Sequence, residues 1–473
     1  MTTAQTHDEG HAPLAKRVIV AYSLPSIALY FTFTLLALYF FKFATDVLLI
    51  APGLLGGILA AGRLWDGFTD PLAGSLSDRT RASWGRRRSW IAWATLPFAG
   101  SMAMLWMPPE GLGPGWAAAW VSLGLLCFYT SYTALSVPYG ALGAELSLDY
   151  HERTRIYAYR QAIGSIGMAV AIVAYYLFLE SQQPGHGQWG LGPRVLGRSV
   201  GIVGAVILCS TVGVMLVGVR ERPEFQSLGT APMFRAFRDV LRNPHARVLL
   251  LAQAAHFFSL GAMSIGAAFI FDEMMGVPPS IGAFMAGCFA LGTLGGIPLW
   301  ARLARRFGKD RCWRFALYCV SVFYAGLFFT LGNSQDLVHT HVLVMASLYV
   351  VVLAALQASN FVLSNSMQAD VIDWDQVESG QRKEGTYLAA WNLAEKCAGA
   401  LAAVAVGLAL ELTGYEANAE SQADSVRLAV LSIMSWLPAG CHLLAGAVMH
   451  RYRLDQAEHA RIRAVLDARA GEG

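Results

Sequence analysis

The sequence is poor in charged residues. Asp, Glu, Lys and Arg make up 14% of its 473 residues, whereas a soluble domain averages about 25%. With 55% hydrophobic residues and a mean hydropathy of +0.45, too few polar side chains remain to cover a water-soluble surface. This shortage excludes a soluble protein and predicts an all-α protein that crosses a membrane many times.

Paired cysteines and familiar catalytic motifs are also missing. The seven cysteines form no C-x-x-C pair and most lie in apolar runs, so we interpret them as buried thiols. The sequence contains no P-loop, H-E-x-x-H motif or nucleophile elbow. We therefore expect neither an enzyme nor an ATP-driven pump, and no cofactor. The basic loops lack clustered aromatic residues, so we expect no nucleic-acid partner.

Long apolar segments dominate the rest of the chain. The N-terminal residues lack the basic region and cleavage site of a signal peptide, so we expect the first segment to stay in the membrane. Twelve segments are long enough to cross about 30 Å of hydrocarbon. We place them at 18–42, 50–77, 89–107, 116–143, 156–180, 198–218, 247–271, 281–302, 312–332, 342–369, 386–410 and 428–450.

The longest polar connection separates these spans into two sets of six. We expect an N-terminal segment, a first six-helix bundle, a central loop, a second bundle and a C-terminal tail, at 1–17, 18–218, 219–246, 247–450 and 451–473. Loops that correspond in the two halves carry similar charged sequences, such as "GSLSDRTRASWGRRR" and "PLWARLARRFGK". This internal similarity is typical of transporters built from repeats.

The basic residues are distributed unevenly between the two sides of the membrane. Of the 35 Lys and Arg residues, 28 lie before the first span, in alternate loops or in the tail, and four lie in the opposite loops. The positive-inside rule therefore predicts that both termini are cytoplasmic. Arg outnumbers Lys by 30 to 5, which is typical of a GC-rich bacterial genome, so we expect the cell inner membrane.

Acidic residues at helix ends stand next to Arg and Gly in the cytoplasmic loops. Networks of this kind can hold two halves together in one conformation and release them in another. For any single Arg, a plain topogenic charge on a solvated loop is the simpler interpretation. We expect a cytoplasmic gate at Asp78, Gly85, Glu145, Asp370 and Asp373.

A few ionisable residues lie inside the spans, where each charge costs at least about 2.5–3.5 kcal/mol. Asp66 and Asp70, in "LWDGFTDP", are four residues apart and therefore share one face of a helix. Two close carboxylates repel each other, so they need a cation or a proton between them. Na⁺ prefers several oxygen ligands, and this pair offers oxygens together with negative charge.

Two interpretations of this acidic pair remain open from the residues alone. Arg63, Asp66 and Asp70 can form a neutralised structural network, or the two carboxylates can bind a coupling cation. Lys396, among small residues of the eleventh span, also needs a carboxylate partner, and Asp66 or Asp70 is suitable when the cation is absent. His256 is more simply interpreted as a packing residue.

Two segments resemble the signatures of the glycoside–pentoside–hexuronide:cation symporters, the melibiose-permease branch of the major facilitator superfamily. They are "RLWDGFTDPLAGSLSDRTRASWGRRRSW" (63–90) and "ADVIDWDQVESGQRKEGTYLAAWNLAEK" (369–396). The family also includes animal sodium-dependent lysophospholipid symporters. The resemblance implies a major facilitator fold of twelve transmembrane helices in two six-helix bundles, working by alternating access.

The resemblance also implies roles for individual residues. It implies a cation site, which is a metal site for Na⁺ if sodium is the coupling ion, at Asp66, Asp70 and Thr133. It implies coupling roles for Lys396 and Arg63. We expect the substrate to contact residues at the interface of the halves, namely Tyr30, Ser136, Arg160, Phe361, Trp391 and Asn392.

Three positions depart from the sugar-binding pattern of the melibiose permease. Where that permease has acidic residues in helices 1 and 4 and a stacking Trp, this chain has Tyr30, Ser136 and Gly140. Polyol recognition needs charged acceptors and a flat aromatic face, so galactoside transport is not expected. Arg160 remains available to pair with a carboxylate or phosphate.

We therefore expect a symporter coupled to Na⁺ or H⁺ that imports a small glycoside, sugar acid or related solute. One alternative is a sodium-dependent symporter of an amphipath such as a lysophospholipid. Another, of a different class, is a membrane receptor or sensor that transports nothing. The expected partners are the small-molecule substrate, the coupling cation and the lipid bilayer, and we expect a functional monomer.

Overall fold

Helices build almost all of the chain. The computed structural model describes residues 14–147, 150–181, 192–221, 238, 240–273, 279–332, 340–380, 383–419 and 421–471, and no strand occurs within these ranges. Ten of the described helices are long and apolar enough to cross a membrane. Two further long helices, Pro52–Arg79 and Arg86–Trp106, pack within the same bundle and complete the twelve predicted spans.

The first half contains spans 1 to 6. Span 1 is divided into three consecutive helices, because Pro25 begins a new helix and Tyr39 interrupts the next one with φ −125°. The helices of this half are Lys16–Ser23, Pro25–Leu38 and Phe40–Asp46 (span 1), Pro52–Arg79, Arg86–Trp106, Pro114–Glu145, Tyr150–Ser181 and Pro193–Gly218.

The second half contains spans 7 to 12 and ends with a helix in the tail. A π-helical turn, Asn360–Ser364, interrupts span 10, and span 12 breaks at Ser435. The helices are Pro244–Glu273, Pro279–Phe307, Lys309–Gly332, Thr340–Ser359 with Asn365–Ser379 (span 10), Glu384–Leu412, Asp424–Met434 with Trp436–Met449 (span 12), and the tail helix Gln456–Gly471.

Several helices extend beyond the boundaries that hydropathy predicts. Span 10 was expected at 342–369, yet its helix continues through the polar residues 370–379. It ends at Gly380, whose φ of +70° is the left-handed conformation that glycine adopts readily at a helix C-terminus. Hydropathy marks the part of a helix that lies in hydrocarbon, whereas the hydrogen-bonded helix continues into the polar layer.

Spans 2 and 11 form the closest contact between the halves. They run antiparallel, and a Cβ added at Gly56 would lie 2.5 Å from the backbone oxygen of Ala403. Gly407 meets the backbone of Pro52 in the same way. These glycines let the two backbones approach, as small residues do in membrane helix pairs. The contact brings the acidic pair of span 2 opposite the lysine of span 11.

Side-chain bonds join the halves at mid-depth and on one face of the bundle. We call the face that carries Lys16 and Met449 the terminal side, and the other face the opposite side. Among the described residues, hydrogen bonds and ion pairs between the halves occur at mid-depth and on the opposite side. They connect Asp66 and Asp70 with Lys396, Ala37 with Ser264, Gly53 with Glu411, and Asp46 with Tyr415 and Asn418.

Parts of every predicted segment lie outside the described residues. They are residues 1–13 of the N-terminal segment, 222–237 and 239 of the central loop, 472–473 of the tail, and 148–149, 182–191, 274–278, 333–339, 381–382 and 420 within the two bundles. The division into six-helix bundles agrees with the observed order of helices. The residue boundaries of the N-terminal segment, the central loop and the C-terminal tail stay predictions.

The contact between spans 2 and 11 generates a test with adjacent glycines. We expect Gly56→Ala to lower the free energy of unfolding by about 1–3 kcal/mol, because the new methyl group would overlap the Ala403 carbonyl. Gly57 is the matched control, since a Cβ there meets no atom within 4 Å. Thermal unfolding in detergent measures both variants. Equal midpoints for the two variants would contradict the inferred packing.

Candidate functional site

The acidic pair and the intramembrane lysine meet in the interface between the halves. Asp66 and Asp70 lie one turn apart on span 2, and Lys396 faces them from span 11. The Asp66 side chain is 2% exposed, and that of Asp70 is 32% exposed. One carboxylate is therefore enclosed, whereas the other stays within reach of water or a solute.

The ammonium group of Lys396 joins the two carboxylates. Its Nζ lies 2.8 Å from Oδ2 of Asp66 and 2.5 Å from Oδ2 of Asp70. These distances correspond to strong charge-assisted hydrogen bonds. A single cation thus neutralises part of the charge of both acids and holds span 11 against span 2.

Two hydroxyl groups complete the polar surroundings of the acids. Thr133 of span 4 has its Oγ1 2.7 Å from Asp66 Oδ1 and 3.1 Å from Asp70 Oδ1, so it donates to one of them at a time. Thr69, which the sequence analysis did not select, lies with its Oγ1 3.4 Å from that of Thr133. The i,i+3 spacing between Thr69 and Asp66 is the signal that would have indicated it.

This group of side chains carries a net negative charge. Two carboxylates face one ammonium, and the oxygens of Asp66, Asp70 and Thr133 converge on a small volume. Such a set has the negative charge and the oxygen atoms to bind another monovalent cation or a proton in place of the ammonium. It offers hard oxygen ligands of the kind that alkali cations prefer.

Arg63 lies on the same helix but faces aromatic rings. Its guanidinium carbon is 4.6 Å from the centroid of the Phe33 ring and 5.9 Å from that of Tyr129. It also lines a cavity of ≈ 70 Å³ between the halves. Among the described ion pairs, the cation that neutralises Asp66 is therefore Lys396 and not Arg63.

Arg160 of span 5 is a second cation held by tyrosines. Its guanidinium carbon lies 4.7 Å from the centroid of the Tyr139 ring. Tyr139 and Tyr22 fix each other, since each hydroxyl donates to the other's backbone oxygen at 2.8 and 3.1 Å. Within the described residues, Arg160 forms no ion pair, and its buried Nε has no hydrogen-bond acceptor. The guanidinium is thus held in place without a counterion.

The remaining residues predicted for substrate contact have different surroundings. Tyr30 donates to Gln161 Oε1 at 2.8 Å, beside Arg160, and Ser136 is half-buried on span 4. Phe361, in the π-helical turn, is 61% exposed, and Asn392 is exposed. These side chains remain available to a ligand.

Trp391 is more enclosed than the other residues predicted for substrate contact. Its side chain is buried in the core of the second half, where its ring centroid lies 5.6 Å from that of Tyr387. Its contact with the substrate stays a prediction. Asn392, the next residue, occupies the exposed face of the helix.

The predicted gate residues of the first half form a compact charge cluster. Glu145 Oε1 accepts from Arg86 at 2.8 Å and lies 3.3 Å from Arg87 Nη2, while Arg87 also pairs with Asp78. Gly85 has a φ of +104°, and a Cβ there would overlap the carboxylate of Glu221. All of these contacts stay within one half.

The predicted gate residues of the second half contact the tail helix. Asp370 pairs with Lys309 at 2.7 Å, and His459 of the tail lies 3.4 Å from both Asp370 and Asp373. Arg463 reaches Asp373 at 3.5 Å. These ion pairs join Asp370 and Asp373 to residues of the same half and its tail.

Two other intramembrane residues, His256 and Glu395, are outside the Lys396 ion pairs. His256 Nδ1 lies 3.2 Å from Nε2 of buried His442, whose Nδ1 is 2.8 Å from the Pro438 carbonyl. This arrangement agrees with the packing interpretation of His256. Glu395 is exposed.

Comparison with known proteins shows the family of this chain and several similar transporters. A family model described as MFS/sugar transport protein matches residues 21–456. The chain is 23% identical over 444 residues to the putative glycoside/cation symporter YagG of Escherichia coli K12, covering 91% of this chain and 90% of that protein. It is 25% identical over 447 residues to sodium-dependent lysophosphatidylcholine symporter 1 of Gallus gallus, covering 87% and 81%.

A solved structure shows the fold. The inward open conformation of the xylose transporter XylE from E. coli superposes with a TM-score of 0.62 at 13% identity, covering 95% of this chain and 98% of that one. At this identity the likeness shows the fold alone, and it confirms the fold that the sequence resemblance implies.

The geometry around Lys396 generates a stability prediction. We expect Lys396→Met to lower the free energy of unfolding by about 3–5 kcal/mol, because it leaves two facing carboxylates without their cation. Thermal unfolding in a buffer without alkali cations measures the loss. Lys16→Met, at an exposed helix end, is the matched control. If both variants unfold at the same temperature, the ion pair contributes nothing to stability.

Proposed function

Because the chain belongs to the MFS/sugar transport protein family, whose relatives above are membrane transporters and not enzymes, we propose that it is a symporter coupled to Na⁺ or H⁺. One observation carries this proposal. Lys396 bridges Asp66 and Asp70, so a positive charge already stands where a coupling cation would be bound.

The proposed coupling step exchanges one cation for another. A Na⁺ ion or a proton enters beside Asp70, the more exposed acid, and displaces the Lys396 ammonium. Thr133 contributes a neutral oxygen to the incoming ion. When the ion leaves, Lys396 returns to the carboxylates. The Asp66–Asp70 pair therefore has one monovalent cation beside it in both conditions: Lys396 without the coupling ion, and the ion itself when it is bound.

We further propose that the terminal side faces the cytoplasm, in the inner membrane of a bacterium. The distribution of Lys and Arg supports this orientation. The described bonds between the halves lie at mid-depth and on the opposite side. With the termini in the cytoplasm, these bonds close the outer side of the interface, as one conformation of an alternating-access pair requires.

The proposed substrate is a small solute with an anionic group, such as a sugar acid. Arg160 supports this choice, since its guanidinium is positioned by Tyr139 and has no described carboxylate partner. Tyr30 and Ser136 add hydroxyl groups on the same half. A carboxylate or phosphate would complete the hydrogen bonds of the guanidinium.

An amphipath with an anionic head group is the second candidate. The similarity to the lysophosphatidylcholine symporter supports it, as does the exposed ring of Phe361 in the second half. In this alternative Arg160 binds the phosphate, and the apolar surface takes the acyl chain. The two candidates share the anion site and differ in what surrounds it.

Cation coupling gives a direct test at Asp70. We expect Asp70→Asn to fold but to lose stabilisation by Na⁺, because the variant removes one of the two anionic ligands. Binding at one hundred times Kd would stabilise the original protein by about 2.7 kcal/mol. Thermal unfolding across a Na⁺ series at constant ionic strength, with choline as the replacement, measures the difference. A pH series tests H⁺ in the same way.

The matched control for this test is Glu110→Gln. Glu110 is an exposed carboxylate whose ion pair with Arg198 lies outside the site. The control is expected to respond to Na⁺ as the original protein does. An Asp70→Asn protein with full cation stimulation in proteoliposomes would remove Asp70 from the cation site.

The anion site gives a second test. We expect Arg160→Gln to weaken binding of anionic ligands by roughly ten-fold or more, since hydrogen bonds to a charged group contribute about 1.5–3 kcal/mol. A thermal-shift screen of neutral glycosides, sugar acids and lysophospholipids measures this on the original protein and the variant. Arg198→Gln, at an exposed site, is the control. A ligand set that is neutral and insensitive to Arg160 would contradict the proposed substrate class.

A further inference from the structure

Asp46 lies at the end of span 1, on the opposite side, and contacts both halves. Its own half contributes the preceding turn of helix Phe40–Asp46. From the other half, Tyr415 donates its hydroxyl to Asp46 Oδ1 at 2.7 Å, and Asn418 donates from Nδ2 to the Asp46 backbone oxygen at 2.9 Å. One residue thus receives two hydrogen bonds across the interface.

The charge of Asp46 is neutralised within its own half. Lys42 Nζ lies 2.7 Å from Asp46 Oδ2, one helical turn away, and both side chains are at most 4% exposed. The ammonium also lies 5.0 Å from the centroid of the Phe269 ring, which belongs to the other half. When the halves separate, the ion pair stays with the first half, so no buried charge loses its partner.

Apolar and backbone contacts surround this pair. The rings of Phe41 and Tyr415 each pack edge-on against the ring of Phe269. The Phe41 centroid lies 6.0 Å from the Phe269 centroid, and the Tyr415 centroid lies 5.3 Å from it. Nearby, the Glu411 carboxylate accepts from Gly53 N–H at 2.7 Å, at the N-terminus of span 2. Groups from the loop after span 11 and from span 7 therefore close over the end of span 1.

The cavity that lies deeper in the interface is small. It has a volume of ≈ 70 Å³ and is lined from both halves, by Arg63 and Tyr129 on one side and Ser264 on the other. A solute the size of a sugar does not fit in it. The path between the acidic pair and the opposite side is therefore closed in this conformation, and Asp46 lies on that path's outer end.

We infer that Asp46 is a positioning residue of the transport cycle, which closes the opposite side by receiving Tyr415 and Asn418 from the second half. This inference rests on the proposed alternating access and adds a role for residues outside the cation and substrate sites. The Lys42–Asp46 pair provides a rigid, neutral receptor, and the two donors of the second half bind and release it as the halves rock.

The hydroxyl of Tyr415 gives the cleanest test. Tyr415→Phe keeps the ring against Phe269 and removes one hydrogen bond to a charged acceptor, so the ratio of open to closed molecules on the opposite side is expected to rise roughly ten-fold. Nitroxide labels at Trp116 and Leu412, exposed positions on different halves, report that ratio by pulsed EPR in a cysteine-free background. The measurement is made without Na⁺ or substrate.

Asn418→Gly tests the second donor. Asn418 has a φ of +58°, which glycine adopts without strain, so this change removes the side chain and keeps the backbone. The matched control is Tyr349→Phe, because the Tyr349 hydroxyl bonds to Phe323 inside the second half. The control is expected to leave the distance distribution unchanged, and the double variant Tyr415→Phe/Asn418→Gly is expected to shift it further than either single change.

Transport supplies a readout that a purely structural role would not move. A larger open fraction raises the apparent affinity for cation added on the opposite side, so the Na⁺ concentration for half-maximal uptake is expected to fall in Tyr415→Phe. The closing role is overturned if Tyr415→Phe and the double variant give the distance distribution of the Tyr349→Phe control. That result would leave the Asp70 test unaffected, because Na⁺ stabilisation of Asp70→Asn is measured independently.

Discussion

The structure depends on the shared contact of one ammonium with two carboxylates inside the membrane. Asp66 and Asp70 repel each other, and Lys396 alone in an apolar helix would be equally unfavourable. Among the described ion pairs, these charges on each half are neutralised here by a residue of the other half. The glycines Gly56 and Gly407 allow the two backbones to come close enough for this contact to form. Packing between spans 2 and 11 and electrostatics therefore support the same arrangement, in which the halves stay together around one ammonium group.

Charges elsewhere are arranged so that they do not oppose a movement of the halves. The Asp78, Arg87 and Glu145 cluster lies within the first half, and Lys309 and Asp370 pair within the second. The buried Lys42–Asp46 pair also belongs to one half, although hydrogen bonds from the other half reach it. The Lys396 contact is the exception among the described buried ion pairs, since it joins the halves. At this contact, ionic attraction between the described residues resists separation of the halves.

The sequence predicted the spans and the acidic pair, and it failed where the signal depends on tertiary contact. Helices occupy all twelve predicted spans, ten of them apolar enough to cross a membrane by composition, and the cost of intramembrane charge singled out Asp66, Asp70 and Lys396. Lys42 was interpreted as a loop charge, because nothing local shows that Tyr415, 369 residues after Asp46, covers the partner of this lysine. The burial of Trp391 was not predicted either, because a helix has several faces and only packing decides which one is buried. Contacts within one helix can be predicted from residue spacing. Contacts across the interface can be identified only when the tertiary structure is known.

The two intramembrane arginines show how the surroundings of a cation set its role. Arg63 and Arg160 both lie against aromatic rings, an arrangement that orients a guanidinium without neutralising it. Arg63 lines the closed cavity next to the acidic pair, so its charge adds to that of Lys396 and limits how strongly the carboxylates attract a further cation. Arg160, on span 5, is held by Tyr139, and its buried Nε has no acceptor among the described residues. The same type of side chain therefore adds positive charge beside the carboxylates at one place and keeps an unused hydrogen-bond donor at the other.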